Sequence, residues 1–229
     1  MDKVSIIVPT YNERENVQVL IEKIRSALRD NFEIIVVDDS SPDGTSETVN
    51  QLSKTIENLR LVCRKSKRGL ASAVIDGFNH ANGSILGVMD ADLQHPPELL
   101  QEMVRKIHEG ADIVIASRYV KDSRIMDWSP KRKFISKVAS FPARIIFHET
   151  RKISDPLSGF FMLRRKVLKN TRLNPVGFKI LLEILVKGSY EKVVELPYVF
   201  GKRKRGETKL NMVQILNYMR HVLRLIVSK

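Results

Sequence analysis

Short, nearly unbroken apolar runs alternate with segments of helical spacing through the first 117 residues, and few folds accept that pattern. Val4-Ser5-Ile6-Ile7-Val8, Glu33-Ile34-Ile35-Val36-Val37, Leu59-Arg60-Leu61-Val62-Cys63, Ile85-Leu86-Gly87-Val88-Met89 and Asp112-Ile113-Val114-Ile115-Ala116-Ser117 read as five strands. The residues between them carry helical periodicity, as Val17, Leu20, Ile21, Ile24 and Leu28 do, and predict four helices. Strands that are apolar throughout belong in a parallel sheet covered on both faces. The expected fold class is therefore α/β, with a mainly parallel, doubly wound sheet whose ligands gather at the C-terminal ends of the strands.

Those ends carry the chemistry. The first strand stops at Pro9 and turns through Thr10-Tyr11-Asn12-Glu13, with Asn12 the expected helix N-cap. The glycine-rich turn of dinucleotide-binding folds is missing, so backbone amides do not cradle a pyrophosphate here. Tyr11 instead offers a face for a base to stack on, and Glu13 an acceptor for a base or ribose. The second strand ends in Asp38-Asp39-Ser40-Ser41-Pro42-Asp43, where α/β proteins hold a ribose or base. Asp39 is expected to touch a nucleotide, and Asp43 to cap the following helix. Arg64 to Leu70 leads into a helix over 70–81 whose first amides suit a phosphate. The fifth strand delivers Arg118 and Tyr119 to the same rim.

The fourth strand delivers Asp90-Ala91-Asp92, then Leu93-Gln94-His95-Pro96-Pro97-Glu98. Two carboxylates one residue apart at a strand end can share a divalent cation once the chain leaves the alternating pleat. Gln94 adds a carbonyl oxygen, and hard oxygen donors of this kind suit Mg²⁺ or Mn²⁺ bridged to phosphates. A helix of about 97–109 is expected next.

The formal charge of +13 is concentrated. Residues 118–152 hold ten Lys and Arg against three Asp and Glu, and residues 202–229 hold eight against one. Confinement to two segments points to an anionic partner on one surface: phosphate groups, an acidic membrane leaflet or nucleic acid. Nucleic acid fits poorly, because Asp38, Asp39, Asp90 and Asp92 repel a polyanion unless a metal intervenes, and no zinc pattern or RNA-recognition aromatic block is present.

The second half reads as a polar basic loop over 121–133 with Trp128, and an amphipathic segment over 134–147 broken near Pro142. Then follow a turn and strand from Asp155 to Arg164, an apolar helix over 177–186, and a last strand over 192–200. The glycine-bracketed basic loop 201–209 precedes a tail helix over 210–228 with Met212, Ile215, Met219, Val222 and Ile226 on one stripe and Arg220, His221 and Arg224 off it. No apolar run reaches the roughly 18 residues a transmembrane helix needs. A single cysteine, Cys63, placed in a strand expected to be buried, and the lack of a signal peptide predict a reducing, cytoplasmic compartment.

Taken together, six blocks resemble the family 2 glycosyltransferases of the GT-A fold, and within them the dolichol-phosphate mannose synthases. They are Val8 to Glu13, Val37 to Thr45, Met89 to Glu98, Ser158-Gly159-Phe160-Phe161, Gly177-Phe178-Lys179 and Arg203 to Lys209. The resemblance implies a GT-A (nucleotide-diphospho-sugar transferase) sheet with added antiparallel strands and a C-terminal amphipathic helix. It implies a single catalytic domain over 1–229, with a nucleotide-sugar-binding half (1–119), an acceptor-binding half (120–209) and the terminal helix (210–229).

It further implies a GDP-mannose donor, a polyprenyl (dolichyl) phosphate acceptor and inversion at the anomeric carbon. Carried over by position, Pro9, Tyr11, Glu13, Val37 and Asp39 hold the guanosine. Asp90, Ala91, Asp92 and Gln94 lie at the diphosphate, with Asp92 and Gln94 coordinating the Mg²⁺ or Mn²⁺. Arg118 and Arg132 hold the acceptor phosphate, and Lys179, Arg203 and Lys209 complete the donor site. Asp90, Asp92, Arg118 and Arg132 are the expected catalytic residues. Because an Asp-x-Asp pair reads the diphosphate and not the base, UDP-glucose or another nucleotide sugar stays open as donor. Some relatives of the family continue into transmembrane helices, whereas this sequence stops at Lys229. The expectation is a peripheral enzyme on the cytoplasmic face of a membrane, or a soluble catalytic part of a protein anchored by a separate segment or subunit.

Overall fold

The computed structural model describes residues 2–66, 69–126, 128–202 and 212–227. Its first part is the expected alternation: β1 (Val4–Thr10), α1 (Arg14–Ala27), β2 (Phe32–Asp38), α2 (Thr45–Ser53), β3 (Leu59–Cys63), α3 (Leu70–His80), β4 (Ile85–Val88), α4 (Leu99–His108) and β5 (Ile113–Ser117). The second part adds β6 (Arg124–Ile125), α5 (Pro130–Ile146), β7 (Phe161–Arg164), α6 (Ile180–Lys187), β8 (Val193–Pro197), β9 (Val199–Phe200) and α7 (Met212–Val227). The seven-stranded sheet runs β3-β2-β1-β4-β7-β5-β8, and β6 pairs with β9 as a separate ribbon.

The sheet is covered on both faces, as apolar strands require. Val17, Leu20, Ile21 and Ile24 of α1 and Leu100, Met103 and Ile107 of α4 pack on one face. Ala71, Val74 and Phe78 of α3 and Ile180, Leu181, Ile184 and Leu185 of α6 pack on the other. Burying side chains of this size is worth about 1.5–3 kcal/mol each. Gly77 lets α3 lie against β1, since a Cβ there would sit 2.4 Å from Ile7 Cγ2.

Several expectations change. Of the added strands only β7 is antiparallel, wedged between β4 and β5; β8 joins β5 in parallel, and β6–β9 is parallel too. Pro9 does not end β1, which runs on to Thr10 beside Asp38. Pairing with β4 stops at Ile7, whose carbonyl accepts the Met89 N–H, so the nitrogen of Pro9 faces a side where no ladder continues. Asn12 is not the N-cap of α1: it adopts a left-handed φ of 56° and donates its N–H to Ser41 Oγ, leaving Glu13 at the cap. Pro96 and Pro97 form the turn ahead of α4, which begins at Leu99.

The basic loop over 121–133 contains β6 and the start of α5, and Pro142 sits within a continuous α5. The carbonyl four residues before Pro142, which loses its helical hydrogen bond, belongs to the exposed Val138. The last strand splits, β8 ending at Pro197 and β9 starting at Val199. Cys63 is exposed, because β3 is an edge strand. The buried stripe of α7 is rotated from the expected one: Tyr218, His221, Val222 and Leu225 face inward, while Met219 and Ile226 are exposed. Ala143 of α5, Phe147 just after it, Leu157, and Leu182 and Val186 of α6 make the surface that receives it.

Candidate active site

The turn after β4 is built by its own hydrogen bonds. Leu93 takes a left-handed φ of 60°, and the Gln94 N–H donates to Asp92 Oδ1 at 3.1 Å. That geometry breaks the strand alternation and brings Asp90 and Asp92 to one rim. Asp90 packs against Gly159, where a Cβ would stand 2.7 Å from Asp90 Oδ2. Its Oδ2 lies 3.5 Å from His95 Nε2, while its Oδ1 is buried with no hydrogen-bond partner among the described residues. Burial pushes the Asp90 carboxyl up, but the His95 hydrogen bond and the charges of His95, Lys179 and Arg118 outweigh it and hold it below the usual range.

His95 carries this turn into the core. Its Nδ1 is 3.1 Å from the Tyr198 hydroxyl, and its ring packs against Phe160 and Phe200. Gln94 reaches in the same direction: its Nε2 donates to Gly201 O at 3.0 Å, and Gly201 N–H donates to Gln94 O at 2.8 Å. The aspartate turn is thereby tied to the corner between β8 and the residues after β9.

Opposite stands a partly buried cationic group. Arg118 donates through Nε and Nη2 to both oxygens of Asp155, and its guanidinium lies over Tyr119, Trp128 and Phe200 at 5.4–5.9 Å. Burial alone lowers the Arg118 pKa, and the attraction of Asp155 more than reverses that. Lys179, the residue before α6, donates to Leu157 O at 2.9 Å and lies over Phe178. Burial, joined by repulsion from Arg118, lowers it to about 8 against the pull of Asp155 and Asp90.

The ends of β1 and β2 form the adjoining part of the rim. Pro9 and Val37 are register partners there, and Tyr11 is partly exposed. Glu13 accepts a hydrogen bond from Asn16 Nδ2. Asp39 accepts the Gly69 N–H at 2.8 Å and pairs with Arg64 at 2.9 Å, so it ties the tip of β2 to the start of α3. Asp43 accepts the N–H of both Thr45 and Arg14 and so steadies the first turns of α2 and α1. Asp38 accepts from Thr10, Ser41 and Ser46 and organises the turn rather than facing a ligand.

Asp90, Ala91, Asp92, Gln94, Arg118 and Lys179 are thus brought to one region. Arg132 lies in the first turn of α5, and its side chain falls outside the described residues, as do Arg203 and Lys209 altogether. His95, Asp155 and Tyr198 went unnoticed in sequence because a lone His, Asp or Tyr carries no spacing signal. The Gln94-His95-Pro96-Pro97 block adjoining the aspartates was the only hint.

Carboxylates face partly buried cations at the C-terminal edge of a mainly parallel sheet, and the fold is that of the GT-A transferases. Residues 5–172 match the model for glycosyl transferase family 2, and the chain belongs to that family. It is 51% identical over 98% of its length to a dolichol-phosphate mannosyltransferase of Pyrococcus furiosus, and spans 64% of that protein. It is 38% identical over 98% of its length to the dolichol-phosphate mannosyltransferase of Saccharomyces cerevisiae, spanning 87% of it. Its fold is similar to the glucosyl-3-phosphoglycerate synthase of Mycobacterium tuberculosis, crystallised with Mn²⁺, UDP and glucosyl-3-phosphoglycerate. There the TM-score is 0.71 at 18% identity, covering 99% of this chain and 79% of the other.

Proposed function

We propose that the chain transfers mannose from GDP-mannose to a polyprenyl (dolichyl) phosphate, giving a β-mannosyl phospholipid and GDP. The observation that carries this reading is the 51% identity, over nearly the whole chain, to a protein named dolichol-phosphate mannosyltransferase, a name that gives the sugar and the lipid phosphate and leaves the donor to the proposal. A phosphate oxygen of the acceptor attacks the anomeric carbon, the bond from that carbon to the diphosphate breaks, and GDP leaves with the electron pair. The acceptor phosphate is ionised at neutral pH, its second pKa being roughly 6, so no strong general base is needed. Asp90 and Asp92 are read as ligands of the donor complex and not as bases.

The guanosine is assigned to the rim of Pro9, Tyr11, Glu13, Val37 and Asp39, and the diphosphate to Asp90, Ala91 and Asp92. Lys179 is assigned to the charge that builds on the diphosphate, with Arg203 and Lys209, which lie outside the described residues, assigned beside it. Arg118 and Arg132 take the acceptor phosphate. For Arg118 this reading is narrowed by Asp155, which already occupies its Nε and Nη2. The two halves, 1–119 and 120–209, then serve donor and acceptor.

The donor set suits a hard divalent cation such as Mg²⁺ or Mn²⁺. Asp90 Oδ1 is buried without a hydrogen-bond partner among the described residues, Asp92 adds a carboxylate, and Gln94, whose side-chain Nε2 donates to Gly201 O, keeps its side-chain carbonyl oxygen. No group of three or more His, Cys, Asp or Glu converges among the described residues, so a bound ion would need further oxygen donors from the substrate phosphates and water. Such an ion would neutralise charge on the leaving diphosphate.

Among the described residues no helix is long and apolar enough to cross a membrane. Phe141, Ile145 and Ile146 of α5 and Leu216, Met219, Leu223 and Ile226 of α7 are exposed, with Arg220 and Arg224 alongside. That surface supports peripheral docking on an anionic leaflet, at the cytoplasmic face, with or without a separate anchoring segment or subunit. The test is a transfer assay with GDP-mannose and UDP-glucose in parallel and dolichyl phosphate as acceptor. Product from UDP-glucose alone would overturn the donor, and no lipid-linked sugar from either would overturn the reaction.

A further inference from the structure

His221 is buried in the middle of α7, at 1% exposure. Tyr218, Val222 and Leu225 supply the apolar contacts that dock α7 on the α5 and α6 side of the molecule. The imidazole does something a hydrocarbon cannot: its Nδ1 accepts the backbone N–H of Val176 at 3.1 Å. Because Val176 donates to Nδ1, the neutral ring carries its proton on Nε2.

Val176 belongs to the short connection that ends at Lys179. The connection is fastened at further points along its length. Asn174 N–H donates to Glu183 Oε1 at 2.9 Å, and Gly177 O accepts the Ala71 N–H from the first turn of α3 at 3.3 Å. Lys179 then donates to Leu157 O. A shift of Val176 would therefore move Gly177 and Lys179 relative to the start of α3, where Gly69 is bound to Asp39.

We propose that His221 is a positioning residue for the donor site, the acceptor through which the C-terminal helix holds the Val176–Lys179 connection in register. The inference rests on reading Lys179 as a ligand of the donor diphosphate. It makes the seating of α7, the helix with the exposed apolar face, part of what sets donor affinity.

The test compares His221→Leu and His221→Asn with the parent chain. Asparagine Oδ1 lies the same number of bonds from Cα as Nδ1 and can accept the Val176 N–H. His221→Leu is expected to raise the KM for GDP-mannose roughly tenfold, the cost of a part-buried amide left without its acceptor, while the KM for dolichyl phosphate stays within about twofold. Amide exchange over residues 174–179, followed by mass spectrometry without substrates, should speed up in His221→Leu and return towards the parent in His221→Asn. A structural role alone would lower the active fraction, and so kcat, at unchanged KM and unchanged exchange, and that result overturns the proposal. Should His221→Leu fail to fold, His221→Gln replaces it, since its acceptor sits one bond too far. Equal donor KM and equal exchange in the Asn and Gln variants would then overturn it. If the parent chain does not use GDP-mannose at all, the reading of the function falls, and the exchange comparison still tests the tether.

Discussion

Both carboxylate oxygens of Asp155 hold the guanidinium of Arg118, Oδ2 to Nε at 2.7 Å and Oδ1 to Nη2 at 2.8 Å, and Oδ2 also accepts the Arg118 backbone N–H. Asp155 is itself fully buried, and its N–H donates to Glu195. The arginine that sequence reading assigned to the acceptor is thus a fixed part of the wall, aimed by its partner.

Asp155→Asn keeps the volume and removes that partner. Stranding a buried guanidinium should lower the unfolding free energy by about 3–5 kcal/mol, measured by urea unfolding at neutral pH. The Asp155 pKa is depressed: burial raises it, and the Arg118 charge and hydrogen bonds overcome that. Its contribution is complete above the unfolded value of about 4 and lost as pH falls through the folded value. The acid limb of stability should be shallower in the variant, and an unchanged limb would refute the assignment.

Lys179 sets an alkaline limb for donor use. With its pKa lowered to about 8, it loses its charge as pH rises through that value, while the unfolded chain keeps the proton until about 10.4. Between these values the unfolded state binds more protons, so this group makes stability rise with pH. The kcat/KM for GDP-mannose should nevertheless fall above pH 8, because the neutral amine attracts no phosphate. Lys179→Arg stays charged and should abolish that limb.

Gly159→Ala tests the seat of Asp90. The added Cβ would come 2.7 Å from Asp90 Oδ2, at the free end of a side chain able to swing away. Stability should fall by no more than about 1–3 kcal/mol. Transfer activity should fall far more, because Asp90 is displaced from the rim. Activity within twofold of the parent would show that the Asp90 position is not critical.

Asp92→Asn retains an oxygen for the Gln94 N–H and hence the turn, but loses the charge a cation needs. Transfer should drop by roughly 10²-fold or more with the melting temperature unchanged. Chelation by EDTA should produce a comparable loss in the parent, reversed by added Mg²⁺ or Mn²⁺. Full activity in EDTA would remove the metal from the proposal.

The exposed faces of α5 and α7 predict lipid affinity. Co-sedimentation with vesicles containing anionic phospholipid should weaken when Phe141 and Leu223 are both replaced by Ser. These side chains are 61% and 60% exposed, so the fold should be unaffected. Equal sedimentation of parent and variant would remove this surface as the docking face.

Much of this was legible along the chain. The order of strands and helices from β1 to β5, the sheet covered on both faces and the aspartates at the end of β4 follow from apolar runs, periodicity and local turn chemistry, all short-range. Pro9 and Pro142 misled, because a proline breaks an element only where its N–H is required, and neighbours decide that. The α7 stripe misled for a related reason. Periodicity locates an apolar face, but where apolar residues extend beyond a single stripe, the surface offered by α5 and α6 selects which are buried.

Residue type and local spacing were enough to set Asp90 and Asp92 at the end of β4 and Arg118 at the end of β5, while Lys179 was named only through the family resemblance. Only the folded chain brings Asp155 to Arg118 across 37 positions, and Tyr198 to His95 across 103. Such pairs depend on which strand lies beside which, and the insertion of β7 between β4 and β5 is what carries Asp155 and Gly159 to the rim. Their energies come from burial, a property no position has until the sheet has closed around it.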